Sequence, residues 1–346
     1  MSKKALFIFS ILMVGSLLLA ACAPAAEEPA GEEGILVCQI TDTGGIDDKS
    51  FNATAWKGIT DAEDELGIRG TFLESQEVAD YERNINAFIE EGCDLIITVG
   101  FLIGDATAAA AEANPEQLFS IVDFAYDPPI PNVVGQVFET DEAAFLAGYA
   151  AAAVTQTGKV GTFGGLPIPT VTIFMKGFVE GVNHYNDVKG TNVEVLGYNI
   201  DDGTGLFSMD FDDQQKGREL AISLMDEGAD IILPVAGPVG LGAAAAIQER
   251  GNAYVMGVDS DWVLTSPEYS NITLTSVMKK MDATTFSVIE SVVDGTFSGG
   301  VEVGTLENQG VDIAPWHELS NLISAELQAE IDQLREDIIA GRIVLQ

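Results

Sequence analysis

Short apolar runs alternate with longer amphipathic stretches along most of this chain, and this rhythm restricts its fold more than any other feature. The apolar runs include Ile35–Ile40, Asp94–Val99, Leu118–Val122 and Ile231–Val235, and helical patterns lie between most of them. Strands that are separated by helices of this length pair in parallel and are covered by helices on both faces. The sequence therefore predicts an α/β fold.

The alternating series restarts near Lys159, which divides it into two sets of similar size. A length of 346 residues also suits two domains. An eight-stranded barrel is the alternative, but only the segment DFAYDPPIP separates the apolar runs Leu118–Val122 and Val133–Phe138. A helix is missing there, so two doubly wound parallel-sheet lobes fit better, and the helix that opens at Thr140 begins the second lobe.

The charge balance is strongly acidic, with 54 Asp and Glu against 16 Lys and Arg and a formal net charge of −38. Binding to nucleic acid or to anionic membrane surfaces needs an excess of basic residues, so both partners are disfavoured. Three cysteines and two histidines leave little material for a metal centre. We therefore expect no metal site and no cofactor.

The N-terminus reads as a targeting segment. Two lysines (Lys3 and Lys4) precede an apolar run over residues 5–21, and Leu19-Ala20-Ala21-Cys22 resembles the lipobox of bacterial lipoproteins. This pattern predicts a signal peptide over residues 1–21, lipidation of Cys22 and a solvated tether over residues 22–34. The protein would then be anchored by lipid alone at the extracytoplasmic face of the cell membrane; an unmodified secretory signal or a single anchor helix is the alternative.

Two internal cysteines lie near strands that are expected to be neighbours. If those strands pair in parallel, Cys38 lies opposite Ile96 or Ile97, and Cys93 is roughly 10–13 Å away along the strand. A disulfide needs Cα atoms within about 7 Å. We therefore expect Cys38 and Cys93 to be buried thiols.

Acidic residues follow three of the predicted strands. Asp42, Asp123 and Asp259 come directly after the apolar runs that precede them. Ligands of open α/β sheets bind outside the carboxyl ends of the strands, so these carboxylates are candidates for a binding cleft. Each could instead cap a helix or stabilise a turn.

A series of longer motifs resembles one family. The first connection reads TDTGGIDDKSFN from Thr41 to Asn52. The further motifs are ITVGF (97–101), IVDF (121–124), NVVG (132–135), EAAFLAGYAA (142–151), GKVGTFGG (158–165), FMKGFVEGV (174–182), FDDQQKGRELA (211–221), GADIILPVAG (228–237), GVDSD (257–261) and LTSVMKKMD (274–282). Over about residues 35–310 the chain resembles the basic membrane protein family, the substrate-binding lipoproteins of ABC importers that include purine nucleoside receptors.

The resemblance implies the type I periplasmic-binding-protein fold, with two lobes and a ligand cleft between them. The expected N-terminal lobe comprises residues 35–139 and about 262–300. The expected C-terminal lobe comprises residues 140–261 and about 301–346.

The resemblance also implies that a nucleoside base is stacked between one aromatic ring from each lobe. Phe51 matches the first ring and Phe211 the second, with Phe207 as a competitor for the second position. Asn52 could read a purine edge, and Asp123 could accept N–H groups of the base.

The remaining candidates would bind the ribose or shape the cleft. Asp259 can accept hydrogen bonds from a ribose diol, and either Lys279 or Lys280 can donate to ribose oxygens. We expect Asp42 at the mouth of the pocket, and Gly237 where the backbone must approach the ligand closely.

The predicted function is that of an extracytoplasmic receptor that captures a purine nucleoside (inosine, guanosine or adenosine), closes around it as a monomer and delivers it to an ABC permease. A sugar or another small solute is the alternative ligand. An enzyme is disfavoured because the glycines of Gly237–Gly242 lack the GxGxxG order, and because neither His184 nor His317 has a nucleophile beside it in the sequence. A structural lipoprotein would have a filled cleft, which the clustered polar residues argue against.

Overall fold

The computed structural model describes residues 34–345. The predicted signal peptide, Cys22 and the tether up to residue 33 lie outside the described residues. Within residues 34–345, no helix is both long and apolar enough to cross a membrane.

The first sheet has the strand order β11-β5-β4-β3-β1-β2, and all its neighbouring strands run parallel. Its strands are β1 (Leu36–Ile40), β2 (Arg69–Leu73), β3 (Leu95–Val99), β4 (Leu118–Val122), β5 (Val133–Phe138) and β11 (Gly300–Gly304). The central strand β3 is buried at every position, as expected of a strand covered on both faces.

The second sheet repeats this arrangement, with the order β12-β10-β9-β8-β6-β7. Its strands are β6 (Lys159–Gly164), β7 (Glu194–Leu196), β8 (Ile231–Val235), β9 (Tyr254–Asp259), β10 (Thr273–Lys279) and β12 (Val311–Ile313). All neighbours are parallel except β12, which runs antiparallel to β10. Two open six-stranded sheets confirm the α/β prediction and the type I periplasmic fold, and exclude the barrel.

Helices cover both sheets, and most of them lie where the amphipathic patterns predicted a helix. They are α1 (Phe51–Leu66), α2 (Tyr81–Glu91), α3 (Gly104–Ala113), α4 (Thr140–Val154), α5 (Pro169–Lys189), α6 (Gln214–Asp226), α7 (Pro238–Arg250), α8 (Trp262–Thr265), α9 (Met281–Val293) and α10 (Ala325–Ile339). Helices α1, α2, α3 and α9 pack on the first sheet, and the others pack around the second. We call these two assemblies the first and second lobes.

The chain passes between the lobes at three places within residues 34–345, and this corrects the expected boundaries. The strand over residues 273–279 was expected in the N-terminal lobe, but it pairs with β9 in the second sheet. Strand β11, at the border of the two expected tail segments, pairs with β5 in the first sheet. The crossings at residues 138–140, 279–281 and 304–311 join the lobes side by side. Sequence order could not show this, because a strand belongs to the sheet of the strands that it pairs with, and those strands are not determined by their order in the chain.

The crossings are hydrogen-bonded to one another. The Glu139 amide donates to the Gly304 carbonyl at 2.9 Å, and the Lys280 amide donates to the Gly310 carbonyl at 2.9 Å. The Glu142 carboxylate accepts from the Leu306 amide at 2.6 Å. The hinge region is therefore a connected structure rather than three independent linkers.

Helices α4 and α5 pack closely, and this packing places the start of α5 at the cleft. A Cβ added at Gly148 of α4 would overlap the Phe178 carbonyl of α5, and one at Gly181 of α5 would overlap the Phe145 carbonyl of α4. The small residues thus let the two helix backbones approach each other. Most of α4 is buried as a result.

Cys38 and Cys93 form a disulfide, so the expectation of free thiols is wrong. Their Cα atoms are 6.1 Å apart. The prediction placed Cys93 on a straight extension of its strand, but β3 begins only at Leu95. Gly92 ends α2 in the left-handed region with φ of 83°, and this turn brings Cys93 back over the sheet towards Cys38.

Candidate functional site: a cleft between two lobes

A cavity lies between the carboxyl ends of the two sheets. Together with the solvent-open part beside it, the cavity spans about 590 Å³ of space. Its lining is drawn from both lobes: Asp42, Thr43, Asp48, Phe51, Asn52, Gly100, Phe101, Asp123, Ile168, Thr170, Val171, Phe174, Phe211, Val235, Ala236, Gly237, Pro238, Val258, Asp259 and Lys279. We call this space the cleft cavity.

The connection from β1 to α1 is organised around one carboxylate. Asp48 accepts hydrogen bonds from the backbone amides of Ser50 at 3.0 Å, Asn52 at 2.7 Å and Ala53 at 3.0 Å. The amides of Asn52 and Ala53 lie in the first turn of α1 and have no partner inside the helix, so Asp48 satisfies them. Burial raises the pKa of Asp48 to about 6, against the opposing effect of these hydrogen bonds.

Asn52 is held by the same loop. Its Oδ1 accepts from the Asp42 amide at 3.0 Å, and its Nδ2 donates to Asp48 at 3.1 Å. One amide hydrogen of Asn52 therefore remains for a ligand. Asn52 was expected to offer a purine both a donor and an acceptor, but only one N–H donor is left for a ligand.

Asp42 is buried, with 7% of its surface exposed, although we expected it at the pocket mouth. It accepts hydrogen bonds from the Thr43 amide at 2.7 Å and from the Tyr81 hydroxyl. Burial raises the pKa of Asp42, and these hydrogen bonds oppose the shift. The first turn of the loop thus folds this carboxylate into the wall of the cleft cavity.

The structure brings Phe51 and Phe211 to the cleft cavity from opposite lobes. Phe51 is the first residue of α1. Phe211 lies before α6, with its ring against the Cα of Gly165, where an added Cβ would overlap it. The competing ring of Phe207 packs on Gly164 and lies outside the cavity lining.

Lys279 is the basic residue at the centre of the site. Its Nζ lies 2.6 Å from Asp123 Oδ2 and 3.6 Å from Asp259 Oδ1, and 3% of the side chain is exposed. Burial alone would lower the pKa of Lys279, but attraction to the two carboxylates outweighs it and raises the pKa. Lys280 instead occupies the N-cap position of α9.

Aromatic rings surround the same ammonium group. Lys279 Nζ lies 4.7 Å from the ring centroid of Phe51, 5.4 Å from that of Phe174 and 5.8 Å from that of Phe138. Cations are attracted to ring faces at these distances. The ammonium is therefore held between carboxylates and rings rather than in solvent.

Asp123 and Asp259 are both buried and differ in their partners. Burial raises the pKa of Asp123, and the nearby Lys279 ammonium opposes this shift. Asp259 Oδ2 accepts a hydrogen bond from the Ser50 hydroxyl of the first lobe at 2.8 Å. The site thus contains a charged chain that runs from Asp123 through Lys279 to Asp259.

Polar contacts join the two lobes across the cleft. Besides Lys279–Asp123 and Ser50–Asp259, Lys49 Nζ lies 3.1 Å from Glu268, and the Ser260 hydroxyl donates to the Lys49 carbonyl at 3.2 Å. The loop that carries Phe51 therefore contacts the second lobe directly. The structure is that of a closed cleft.

Gly237 ends the connection from β8 and precedes α7, with φ of 52°. A Cβ there would meet only the Phe211 carbonyl, at 4.0 Å. Glycine is thus required by the left-handed backbone rather than by crowding within the protein. Pro238 follows as the first residue of α7, a position that suits proline.

Two further aromatic residues line the cavity, and only Phe174 of the two was not predicted. Phe174 lies one turn into α5, and Phe101 lies after β3 with its ring 5.2 Å from that of Phe124. Phe174 could have been predicted from its position, because α5 follows the first strand of the second sheet just as α1, which carries Phe51, follows the first strand of the first sheet. The start of each of these helices therefore faces the cleft. Within residues 34–345, no group of three or more His, Cys, Asp or Glu side chains could hold a metal ion.

Two α/β lobes, three crossings and a polar, aromatic cavity between the lobes define the class of periplasmic-type substrate-binding proteins. Residues 35–346 match the family of PnrA-like ABC transporter substrate-binding proteins. The chain belongs to this family, as the sequence motifs indicated.

Individual relatives agree with this assignment. The ABC transporter nucleoside-binding protein BmpA of Lactococcus lactis subsp. cremoris is 30% identical over 100% of this chain and 99% of its own length. Basic membrane protein A of Borreliella burgdorferi is 31% identical over 98% of this chain and 95% of its own length. An ABC transporter solute-binding protein from Aeropyrum pernix K1 superposes with a TM-score of 0.81 at 28% identity, covering 90% of this chain and 94% of that one.

Proposed function

We propose that this substrate-binding protein captures a purine nucleoside, such as inosine, guanosine or adenosine. The observation that carries the proposal is the pair of rings, Phe51 and Phe211, which come from different lobes and line one cavity with an Asp–Lys–Asp chain. The similarity to a relative named as nucleoside-binding supports the same ligand class.

The base would lie between the two rings. Stacking of a base on an aromatic side chain contributes about 1–3 kcal/mol. Both faces of the base are stacked only when both rings are in place. Because each lobe supplies one ring, stacking is complete only when the cleft is closed. Asp123 and the free amide hydrogen of Asn52 would then make directional hydrogen bonds to the base.

The ribose would lie against Asp259 and Lys279. A carboxylate can accept hydrogen bonds from both hydroxyls of a diol, and an ammonium group donates to ribose oxygens. Ser50 Oγ already holds one oxygen of Asp259, at 2.8 Å. This contact fixes the orientation of the carboxylate that the diol would meet.

The closed receptor would deliver its ligand to the permease of an ABC importer. In this proposal the protein performs no chemistry on the nucleoside and acts as a monomer. Lipidation of Cys22 would anchor it at the extracytoplasmic face of the cell membrane, and the segment up to residue 34 would serve as a tether. Closure around a ligand between two lobes is a known hinge motion of this class.

Calorimetric titration of the purified protein with inosine, guanosine, adenosine, cytidine and ribose tests the proposal. Purine nucleosides are expected to bind, and Phe51→Ala is expected to weaken them by about tenfold or more through lost stacking. Phe207→Ala is the matched control, because this ring lies outside the cavity lining. Binding of ribose without any nucleoside would instead identify a sugar receptor, and no binding at all would overturn the receptor proposal.

A further inference from the structure

Asp42, in the wall of the cleft cavity, uses only one of its two carboxylate oxygens within the protein. Its Oδ1 accepts hydrogen bonds from the Thr43 amide at 2.7 Å and from the Tyr81 hydroxyl, and within residues 34–345 the structure shows no hydrogen bond to Oδ2. The fully buried side-chain atoms that lack a partner in this part of the chain belong instead to Gln39, Thr140, Tyr198 and Ser266. Asp42 Oδ2 therefore keeps some accessible surface, and because Asp42 lines the cleft cavity, this oxygen is the one that is left for a ligand.

The backbone of Gly100 leaves room for that oxygen. Gly100 follows β3 with φ of 114°, and a Cβ added there would overlap Asp42 Oδ2. Gly100 also lines the cleft cavity. The free oxygen of Asp42 thus lies where the neighbouring strands β1 and β3 end, at the edge of the first sheet that faces the cavity.

Tyr81, the partner of the other oxygen, is fixed by its own surroundings. It is the first residue of α2, and 1% of it is exposed. In the turn before it, the Asp80 carboxylate accepts from the Gln76 amide at 2.9 Å. One turn further along, Asn84 donates to the Ser75 hydroxyl at 3.1 Å. The tyrosine hydroxyl is therefore held in place whether or not a ligand is bound.

Tyr81 is the donor in its hydrogen bond with Asp42. Burial and the nearby Asp42 carboxylate raise the pKa of Tyr81, so its hydroxyl keeps its proton. In return, this hydrogen bond opposes the rise that burial causes in the pKa of Asp42. Two further carboxylates raise the pKa of Asp42, namely Asp123 after β4 and Asp212 before α6. Tyr81 thus favours the ionised form of Asp42 among like charges.

The ionised and the protonated form of Asp42 would act differently on a ligand. Because Oδ1 already accepts two hydrogen bonds, an added proton would sit on Oδ2. The ionised carboxylate accepts an N–H or O–H group at Oδ2, whereas the protonated one would present a donor there. Hydrogen bonds to an ionised acceptor are also stronger than those between neutral groups.

We infer that Tyr81 is a positioning residue of the binding site, which holds one oxygen of Asp42 so that the other is presented to the cleft cavity as an acceptor. This inference rests on the proposed function, because the group that Asp42 would accept is an N–H or O–H group of the nucleoside. Tyr81 lies outside the cavity lining and acts only through Asp42.

Titration of the purified protein with guanosine between about pH 4.5 and pH 9 tests the inference. The affinity of the wild type is expected to fall on acidification as Asp42 becomes protonated. Tyr81→Phe keeps the ring but removes the hydrogen bond that lowers the pKa of Asp42. It is expected to move the midpoint of this fall to higher pH by about half a pH unit or more, and to weaken binding at pH 7 by about threefold or more.

Tyr149→Phe is the matched control. Tyr149 is also buried, and its hydroxyl also donates to a carboxylate, that of Glu330 at 2.9 Å, but it lies in the second lobe and outside the cleft lining. This variant should leave the affinity for guanosine and its pH midpoint unchanged.

A double variant shows whether Tyr81 acts through Asp42. Asp42→Asn is expected to weaken guanosine binding by about tenfold or more, because it removes a charged acceptor. In that background Tyr81→Phe should no longer move the pH midpoint. Asp48, whose pKa is about 6, and Asp123 still titrate in every variant, so only the difference between variants reports on Asp42.

The outcomes separate this inference from the proposed function. The same pH midpoint in the wild type and in Tyr81→Phe would overturn the inference, and so would a shift that persists in the Asp42→Asn background. Unchanged affinity in Asp42→Asn would exclude Asp42 as the acceptor while the nucleoside receptor stands. Asp42→Ala serves the same comparison if Asp42→Asn does not fold. If the wild type binds no purine nucleoside, the proposed function itself fails and the inference fails with it.

Discussion

Asp123 and Asp259 occupy equivalent positions in the two lobes. Counted from β2 in the first sheet and from β7 in the second, each lies at the carboxyl end of the fourth strand. Each also has a left-handed backbone, with φ of 64° for Asp123 and 67° for Asp259. Asp tolerates this conformation better than most residues. The shared backbone geometry aims both carboxylates at one ammonium group, that of Lys279.

Replacement of Lys279 is expected to be costly for folding as well as for binding. Lys279→Met would leave Asp123 and Asp259 buried without their counter-ion, and breaking a buried ion pair in this way costs about 3–5 kcal/mol. Urea denaturation followed by circular dichroism measures the free energy of unfolding. Lys280→Met is the matched control, because this neighbouring lysine lies outside the cleft lining. Equal losses in the two variants would contradict the central role of Lys279.

The glycine pair after β6 offers a test of the second stacking ring. A Cβ at Gly165 would overlap the Phe211 ring, whereas one at Gly164 would lie 2.7 Å from the Phe207 ring. Gly165→Ala is therefore expected to weaken nucleoside binding by about tenfold or more, within the range of lost stacking.

Gly164→Ala is the control for this change. It is expected to lower the free energy of unfolding with a smaller loss of affinity, because the added Cβ meets the Phe207 ring outside the cavity and Val171 of the lining, but not the Phe211 ring. The measurement is a titration of both variants with one purine nucleoside. Equal affinity losses would mean that Phe207 and Phe211 are not distinguishable as binding residues.

The disulfide is expected to stabilise the first lobe. Cys38 and Cys93 are 55 residues apart in the sequence, and a bridge that closes a loop of this kind contributes about 2–4 kcal/mol. Urea denaturation with and without reductant should show this difference in the wild type. Cys38→Ala combined with Cys93→Ala should unfold at the same urea concentration in both conditions. If the urea midpoint of the wild type is the same with and without reductant, the disulfide is contradicted.

Acidification from neutral pH is expected to stabilise the protein through Asp141, next to the hinge. Burial, with help from Glu139 and Glu142, raises the pKa of Asp141 from 3.8 to about 6. A raised carboxyl pKa means that the folded state binds the proton more readily. Its stabilising contribution is thus complete below pH 3.8 and is lost as the pH rises through about 6.

Asp141→Asn should therefore raise the thermal midpoint at pH 7 and reduce its change between pH 5 and pH 7. Asp337→Asn is the control, because hydrogen bonds from Arg342 and Gln333 lower the pKa of Asp337 from 3.8. The contribution of Asp337 is lost only as the pH falls through that lowered pKa, so it should not alter the dependence between pH 5 and pH 7. Parallel curves for Asp141→Asn and the wild type would refute the assignment.

Much of the fold could be read from the sequence because it rests on local periodicity. The helix that was predicted to open at Thr140 begins at that residue in the structure, since its pattern is continuous. The strands β11 and β12, near the end of the chain, were not predicted. Residues 273–279 and 301–304 were assigned to the wrong lobe, because the sheet to which a strand belongs depends on residues far away in the chain.

Some residues of the cleft could likewise be predicted from the sequence, and others could not. Position after a strand was enough to single out Asp42, Asp123 and Asp259, since parallel strands end at one edge of a sheet. Which lysine faces the cleft, and which of two phenylalanines lines it, depended on the direction in which each backbone leaves its strand. For Phe211 the deciding contact is with Gly165, 46 positions earlier in the numbering, and no local pattern carries that information.

The α/β class, the family and the polar groups at the strand ends could be inferred from the residues alone, because these features depend on local pattern and on long motifs. The Cys38–Cys93 bond and the pairing of Lys279 with two aspartates were visible only in the folded structure. Both depend on distances between segments that are remote in sequence. Such distances depend on how the turns and crossings pack in space. The turn at Gly92, for example, brings Cys93 closer to Cys38 than a straight extension of the strand would.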